Sequence, residues 1–267
     1  VRARGQGAGL RQFGFRSLGA ALAKADVDVI CVSRSHALQL SEFLAKGALP
    51  RIGHIWNPVA DDLEPDDTPR DPNRLLFASS PHKGLAQVLG QFAALRQRLP
   101  DLTLEVADPG YLSWDVGAIP EGVWLRGPLP HDRMMSRMRR ALCLFYPQNG
   151  FAETFGLVIA EANAVGTPVL VQQGLGANDE VVCGPDQLID ASNVEQLADR
   201  IRRWQASFPR IETHPEFRLR NVARQWRQKL ATVVGDEHLR GSFSDGHETA
   251  VRNPSVYEPT ASGGVTS

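Results

Sequence analysis

The sequence predicts an α/β fold, in which helices cover both faces of a parallel sheet. The clearest indication is the apolar run 141–146, which is typical of a buried strand and is followed by a short polar loop. Apolar residues then recur at helical spacing over 154–165, and Gly166 ends that pattern. A second apolar run, 169–171, completes a strand–loop–helix–strand unit. Such units build parallel sheets, whose ligands bind beyond the carboxyl ends of the strands.

The amino-terminal segments alternate between the same two patterns. The basic segment 1–24 contains an amphipathic pattern over 10–25. This pattern fits a transit peptide, a contact with an anionic membrane, or a surface helix of a domain that begins upstream. Because the first residue is Val1, we expect a fragment or a processed chain. The next patterns predict a strand over 27–32, a helix over 33–46, an extended segment over 52–56 and an acidic, proline-rich linker over 61–73.

The part of the chain after the linker continues the alternation. Ser192 and Glu195 have the spacing of a capping box, which predicts the start of a helix. The polar segment 236–267 is predicted to be disordered, since it has few large apolar residues. The other predicted elements are strands over 74–78, 102–107 and 123–126, and helices over 85–99 and 131–140.

Composition excludes several classes of function. With 42% hydrophobic residues in 267, the chain can bury a proper core in one or two domains. A net charge of −1 gives no general basic field, so no nucleic-acid partner is expected. The three cysteines are scattered in apolar runs and suit a reducing compartment, so we expect a cytoplasmic protein. No Cys/His cluster suggests a metal, and no apolar run approaches the roughly 20 residues of a membrane helix.

Two carboxylates, Glu153 and Glu161, mark the strand–loop–helix–strand unit. On a continuous helix their spacing would be about 12 Å, which exceeds the roughly 5–9.5 Å of a glycosidase pair. The N–H groups of Phe155, Gly156 and Leu157 fall in the predicted first turn and would form an anion site. The spacing of an acid, a helix tip and a second acid would fit the sugar, the diphosphate and the ribose of one elongated ligand. An equally open interpretation is that the first carboxylate only complements the helix dipole and the second lies on a solvated face.

The segment GFAETFGLVIAEANAVGTPVL resembles the Glu-x7-Glu segment of retaining glycosyltransferases of family 4, which have the GT-B architecture. The resemblance includes ETFG, EA and GTPV at the family's spacing. It implies a Rossmann-like sheet that binds a nucleotide sugar. It also implies that the first glutamate lies by the donor sugar, the helix tip holds the diphosphate and the second glutamate binds the ribose hydroxyls. The donor-binding residues so implied are Glu153, Thr154, Phe155, Gly156, Leu157 and Glu161.

Lys83 stands at another strand-to-helix corner. By spacing alone it is an ordinary exposed lysine, but the family carries an arginine followed shortly by Lys-Gly, and Lys83–Gly84 matches this pair. The resemblance implies that Lys83 neutralises the diphosphate and acts in catalysis with Glu153. Ala78 or Ser79 occupies the place of the arginine, so one phosphate-binding cation is missing. The hydroxyls of Ser79 and Ser80 are candidates to replace it.

The loop that follows the strand 123–126 is the third part of the implied site. In the family this loop backs the nucleotide base. The backbone groups of Gly127 and Leu129 are the candidates for reading a base edge, although a tight turn is equally compatible with the sequence.

The resemblance also implies a domain organisation. Residues 1–56 correspond to a remnant of an amino-terminal acceptor domain, residues 57–235 to a nucleotide-sugar-binding domain, and residues 236–267 to the disordered tail. We expect the rest of the amino-terminal domain to be missing from this chain. The sequence leaves open whether the protein contacts a membrane peripherally.

The sequence leaves two functions open. The first is a metal-independent, retaining glycosyltransferase, incomplete in this chain, that uses a nucleotide-sugar donor and a glycan, lipid or small-molecule acceptor. The donor is a substrate, and no cofactor is expected. The second is a non-catalytic module that binds a nucleotide sugar or a partner, which the missing arginine and the incomplete first domain favour.

Overall fold

The computed structural model describes residues 18–44, 47–110 and 117–234. The predicted tail 236–267 and most of the basic segment lie outside the described residues. Residues 18–24 are helical (α1), in agreement with the end of the amphipathic pattern predicted there. Within the described ranges, no helix is both long enough and apolar enough to cross a membrane.

A small parallel sheet comes first in the chain. Strands β1 (Asp28–Cys31) and β2 (Arg51–His54) pair in parallel and are joined by helix α2 (Arg34–Leu44). The predicted order of strand, helix and extended segment is therefore confirmed here, and the extended segment forms a strand. After β2 the chain passes through Val59, which is buried and pairs with Arg218 in a parallel bridge. The predicted domain boundaries stay predictions.

A larger parallel sheet follows, with the strand order β5-β4-β3-β6-β7-β8. Helices cover both of its faces, so the predicted fold class is confirmed. Its strands are β3 (Asp71–Ala78), β4 (Thr103–Ala107), β5 (Val123–Leu125), β6 (Ala141–Tyr146), β7 (Val169–Gln172) and β8 (Leu188–Ile189). The helices are α3 (Leu85–Arg96), α4 (His131–Arg140), α5 (Leu157–Ala164), α6 (Asn178–Val181), α7 (Val194–Ala206) and α8 (Leu219–Val234), with 3-10 turns at Pro81–Lys83, Pro185–Gln187 and Pro215–Phe217.

The strand order contains a switch point between β3 and β6. From β3 the chain proceeds outward through β4 to β5, then returns to place β6 against the other side of β3. From there it proceeds outward in the opposite direction. The connections after β3 and β6 therefore lead in opposite directions along the sheet, and open α/β sheets bind ligands at the carboxyl ends of the strands at such a switch point.

The larger sheet has an apolar core, and strand β4 carries a buried carboxylate beside it. Every residue of β6 is buried, as expected for a central strand covered on both faces. On β4, however, Glu105 is 3% exposed and accepts hydrogen bonds from Arg126 at 2.9 Å and Arg137 at 2.6 Å. Burial alone would raise the pKa of Glu105, but these arginines hold it below its ordinary value. The apolar pattern of this strand did not indicate the cluster.

The predicted capping box at the start of α7 is wrong. The N-cap is Asn193, whose side-chain oxygen accepts from the Gln196 N–H at 3.0 Å. The Ser192 hydroxyl instead donates to Asp190 at 2.6 Å. Asparagine is as good an N-cap as serine, so the sequence offered two adjacent candidates and the backbone geometry selects the second.

Replacing the two candidates separately tests this assignment. Asn193→Ala should lower the free energy of unfolding by about 0.5–2 kcal/mol, because it leaves an N–H of the first turn without its partner. Ser192→Ala, the matched control, removes only an exposed contact and should cost less. Urea unfolding followed by circular dichroism measures both. A larger loss for the serine variant would contradict the assignment.

Candidate functional site

The corners that follow β3 and β6 meet at the switch point. Lys83 ends the 3-10 turn after β3, and Glu153 lies in the loop after β6. The Lys83 Nζ is 3.0 Å from one carboxylate oxygen of Glu153 and 3.1 Å from the other. The structure thus brings together the two residues predicted to be catalytic, although 70 positions separate them in the chain.

Glu153 is held in a largely buried setting. Its side chain is 8% exposed, and the Tyr146 hydroxyl donates to its Oε1 at 3.2 Å. Burial raises the pKa of Tyr146, and the neighbouring Glu153 raises it further, so the phenol remains a hydrogen-bond donor. A buried carboxylate requires such partners, since an unpaired buried charge is strongly unfavourable.

The turn after β7 fixes the backbone of Glu153. Gly176 has a φ of +56°, and a Cβ added there would lie 2.5 Å from the Glu153 carbonyl oxygen. The next residue, Ala177, donates its N–H to the same carbonyl at 3.0 Å. A glycine is therefore required at this position both by the backbone conformation and by the close approach of the two loops.

A second glycine allows the Lys83 corner to approach the loop after β6. Gly84 has a φ of +100°, and a Cβ there would lie 2.8 Å from the Cβ of Gln148. The buried Gln148 side chain in turn accepts from the N–H groups of Gly150 at 2.9 Å and Phe151 at 2.7 Å. The Lys83 ammonium lies 4.8 Å from the centre of the Phe151 ring. In the Lys-Gly pair, the lysine supplies the charge, and the glycine allows the close packing against Gln148.

Helix α5 begins later than predicted. The apolar pattern predicted a helix from residue 154, but the first helical residue is Leu157, and Gly156 precedes it with a left-handed φ of +84°. Phe155 lies before the helix, and its side chain is buried against Phe217 with ring centres 5.1 Å apart. The first-turn N–H groups therefore belong to Leu157 and Val158 rather than to Phe155 and Gly156.

This later start also changes the predicted spacing of the glutamates. Glu153 lies in a loop before the helix and Glu161 in its second turn, so the estimate of about 12 Å, which assumed one continuous helix, does not apply. Leu157, at the tip, is 46% exposed. The tip of α5 is therefore exposed at Leu157, and Glu153 precedes it in the chain.

Glu161 has a partner that the sequence did not indicate. The Nε2 of His131, the first residue of α4, is 3.0 Å from the Glu161 Oε1. The hydrogen bond to Glu161 raises the pKa of His131, burial opposes this rise, and the charges of Asp132 and Asp62 add to it. His131 directly follows the loop that contains Gly127 and Leu129, so this contact joins the end of that loop to α5.

The remaining predicted residues differ in exposure. Ser79 is half-buried and shares a hydrogen bond with the Tyr146 hydroxyl, whereas Ser80 is 2% exposed. Ala78 is buried at the end of β3. Neither candidate position for the missing arginine therefore carries a cation, and the Ser80 hydroxyl has little access to solvent.

The amino-terminal segment reaches the same edge of the larger sheet. The Ser33 hydroxyl donates to the carbonyl oxygen of Thr154 at 2.6 Å. Glu180 accepts from the Arg34 and Ser35 N–H groups at 2.9 and 3.0 Å, and from the Trp56 indole at 2.6 Å. These contacts place the start of α2 beside the loop that carries Glu153.

The shape of the surface does not by itself mark this site. Two depressions of about 370 and 350 Å³ lie at the opposite edge, near the amino ends of the strands, and neither includes Lys83 or Glu153. In the part of the chain that the structure describes, no three His, Cys, Asp or Glu side chains group as a metal site would require. The candidate site is therefore marked by its topology, its charges and the exposed helix tip.

Two glycines of one turn test the role of the close approach to Glu153. Gly176→Ala should lower the free energy of unfolding by about 1–3 kcal/mol more than Gly174→Ala. Both glycines have positive φ, at +56° and +72°, so both variants suffer backbone strain, but only the first meets the backbone of Glu153. Chemical unfolding of the two variants measures the difference. Equal losses would show that the contact with Glu153 does not constrain the turn.

The family described as glycosyl transferases group 1 matches residues 64–209, more than half of the chain and a range that includes Lys83, Glu153 and Glu161. No curated protein matches the chain.

Solved glycosyltransferases share the fold. Sucrose-phosphate synthase from Thermosynechococcus elongatus is similar with a TM-score of 0.67 at 19% identity, over 86% of this chain and 64% of that one. A glycosyltransferase from Rickettsia africae has a TM-score of 0.58 at 15% identity, over 88% and 69%. The pneumococcal O-GlcNAc transferase GtfA, solved in complex with UDP and GlcNAc, has a TM-score of 0.57 at 18% identity, over 81% and 47%. This chain thus spans less than two thirds of the length of the first and third of these proteins.

Because the family match covers more than half of its residues, this chain belongs to the glycosyl transferases group 1 family.

Proposed function

We propose that this chain carries the donor site of a retaining glycosyltransferase that transfers a sugar from a nucleotide sugar to a glycan, lipid or small-molecule acceptor. The observation that carries the proposal is the Lys83–Glu153 ion pair at the switch point, beside the tip of α5. A cation, a helix tip and a carboxylate at this edge match the chemistry of a sugar diphosphate. Retention rests on the resemblance of the Glu-x7-Glu segment to retaining enzymes.

The diphosphate would lie between Lys83 and the start of α5. The N–H groups of Leu157 and Val158 have no acceptor within the helix, and the helix dipole favours an anion there. The Lys83 side chain is 26% exposed, so its ammonium can exchange one of its contacts with Glu153 for a phosphate oxygen. Without a cation at residue 78 or 79, we expect weaker donor affinity than an additional arginine would give.

Glu153 would orient the sugar. Once a diphosphate attracts Lys83, the carboxylate regains acceptor positions for sugar hydroxyls, while Tyr146 continues to hold one oxygen. As the bond between sugar and diphosphate breaks, Lys83 and the helix tip would stabilise the charge that develops on the departing diphosphate. In this scheme Glu153 positions the donor, and no covalent intermediate on it is required.

The nucleoside would extend along α5 toward α4. Glu161 would accept hydrogen bonds from the ribose hydroxyls, and the backbone of Gly127 and Leu129 would contact the base. The acceptor would approach from the side of the amino-terminal segment, where Ser33 contacts Thr154. Because this chain spans only part of the related proteins, the position of the acceptor site is also part of the proposal.

Separate replacement of the two glutamates tests the assignment. Glu161→Ala should weaken binding of UDP, GDP or ADP by about 1.5–3 kcal/mol, because it removes the acceptor for the ribose hydroxyls. Glu153→Ala should affect nucleotide affinity much less, since its proposed partner is the sugar. Isothermal titration calorimetry measures both, with Glu121→Ala, at a fully solvated position, as the control.

Two results would contradict the proposal in different ways. If none of the three nucleoside diphosphates binds the unaltered chain at millimolar concentration, the donor site is wrong. If both glutamate variants lose nucleotide affinity equally, the site stands but the separate roles of the two carboxylates do not.

A further inference from the structure

The contact between His131 and Glu161 joins two elements that the proposed donor site treats separately. His131 follows the loop assigned to the base and begins α4, whereas Glu161 lies in the second turn of α5 and is assigned to the ribose. The Nε2 to Oε1 distance of 3.0 Å is that of a good hydrogen bond. The two side chains are 41% and 20% exposed, so both can be reached from solvent.

The bond leaves Glu161 free to bind a ligand. An ionised carboxylate has two oxygens with about four acceptor positions. His131 occupies one position on Oε1, and the Oε2 of Glu161 accepts no hydrogen bond from any other described residue. Two vicinal hydroxyls could therefore donate to this carboxylate without displacing the imidazole. A carboxylate held at one oxygen also loses less side-chain freedom when the ligand binds.

We propose that His131 is a positioning residue of the ribose site. Its imidazole holds the Glu161 carboxylate in place for the nucleotide and thereby makes nucleotide affinity depend on pH. The inference rests on the proposed function, because it assigns a ribose to Glu161. It adds a residue and a mode of regulation to that site.

The charges around His131 set the direction of the dependence. Carboxylates face it from three parts of the chain: Glu161 on α5, Asp132 on α4 and Asp62 in the segment before β3. Partial burial and its position at the amino end of α4 oppose protonation, but the hydrogen bond to Glu161 dominates and the pKa of His131 lies above its ordinary value.

Protonation strengthens the hold on Glu161. Below its pKa, His131 donates a charge-assisted hydrogen bond, which is about twice as strong as a neutral one. This stabilisation is fully present below the pKa of the unfolded chain and is lost as the pH rises through the higher pKa of the folded protein. Because the proposal makes this hold prepare the carboxylate for the ribose, nucleotide affinity relative to a variant without the imidazole should be highest below the folded pKa of His131 and should fall as the pH rises through it.

The test compares UDP binding by the unaltered chain and by His131→Gln over a range of pH. Glutamine keeps an N–H donor near the place of Nε2 but cannot be charged. UDP's terminal phosphate also titrates, at a pKa of about 6, but the ratio of the two affinities at each pH removes this contribution. We expect a ratio of about three- to tenfold in favour of the unaltered chain at low pH, which approaches one at high pH.

Two further variants separate positioning from a loss of structure. His131→Ala removes the donor altogether and should weaken UDP binding at every pH, whereas Arg133→Ala, on the exposed face of the same turn, should change nothing. Glu161→Gln should shift the titration of the His131 ring, followed by the NMR resonance of its Cε1–H, to lower pH.

The possible results distinguish this inference from the proposed function. If UDP does not bind the unaltered chain, the donor site fails and the role of His131 fails with it. If UDP binds but the affinity ratio is close to one at every pH, the donor site stands and His131 does not position Glu161. A ring titration that is unchanged in Glu161→Gln would overturn the inference in the same way.

Discussion

The site depends on one ion pair formed across the switch point of the sheet. A carboxylate as buried as Glu153 must be neutralised and hydrogen-bonded, and Lys83 and Tyr146 satisfy this requirement. Because Lys83 follows β3 and Glu153 follows β6, the pair forms only when the chain returns to the far side of β3. The strand order, the two corners and the pair are therefore parts of one constraint.

Glycines make that constraint possible. Gly84 lets the corner after β3 lie against Gln148, and Gly176 lets the turn after β7 lie against the backbone of Glu153. Each glycine has a positive φ and a neighbour too close to tolerate a Cβ. Three loops from three adjacent strands thus converge on one carboxylate. The Lys83 ammonium satisfies that carboxylate, and in the proposed function a diphosphate would compete for the same lysine.

Much of the fold could be predicted from the sequence, because periodicity reports which residues are buried. The bounds of the helix His131–Arg140 and of the strand Ala141–Tyr146 match the predictions. The start of α5 could not be predicted in this way, since Phe155 fits the helical spacing although it is buried in the segment before the helix. The left-handed backbone of Gly156 breaks the helical conformation there, so α5 begins at Leu157.

Contacts between distant parts of the chain also could not be predicted from the sequence. The sequence named Lys83, Glu153 and Glu161 individually, partly through a family resemblance, but no periodic pattern shows which side chains face one another. His131 looked like the first residue of an ordinary helix, and Glu105 lay in an apolar run. The hydrogen bonds of both depend on the packing of separate elements, 30 positions apart for His131 and Glu161 and 32 for Glu105 and Arg137.

We propose that a nucleoside diphosphate binds at the tip of α5, at the switch point between β3 and β6. Amide NMR spectra of the isotope-labelled chain, recorded during titration with UDP, test it most directly. We expect the largest shifts at the N–H groups of Leu157 and Val158 and at the Lys83–Gly84 corner. Shifts centred instead on Asn73 and Gln205, at the depression on the opposite edge, or the absence of any saturable shift, would contradict it.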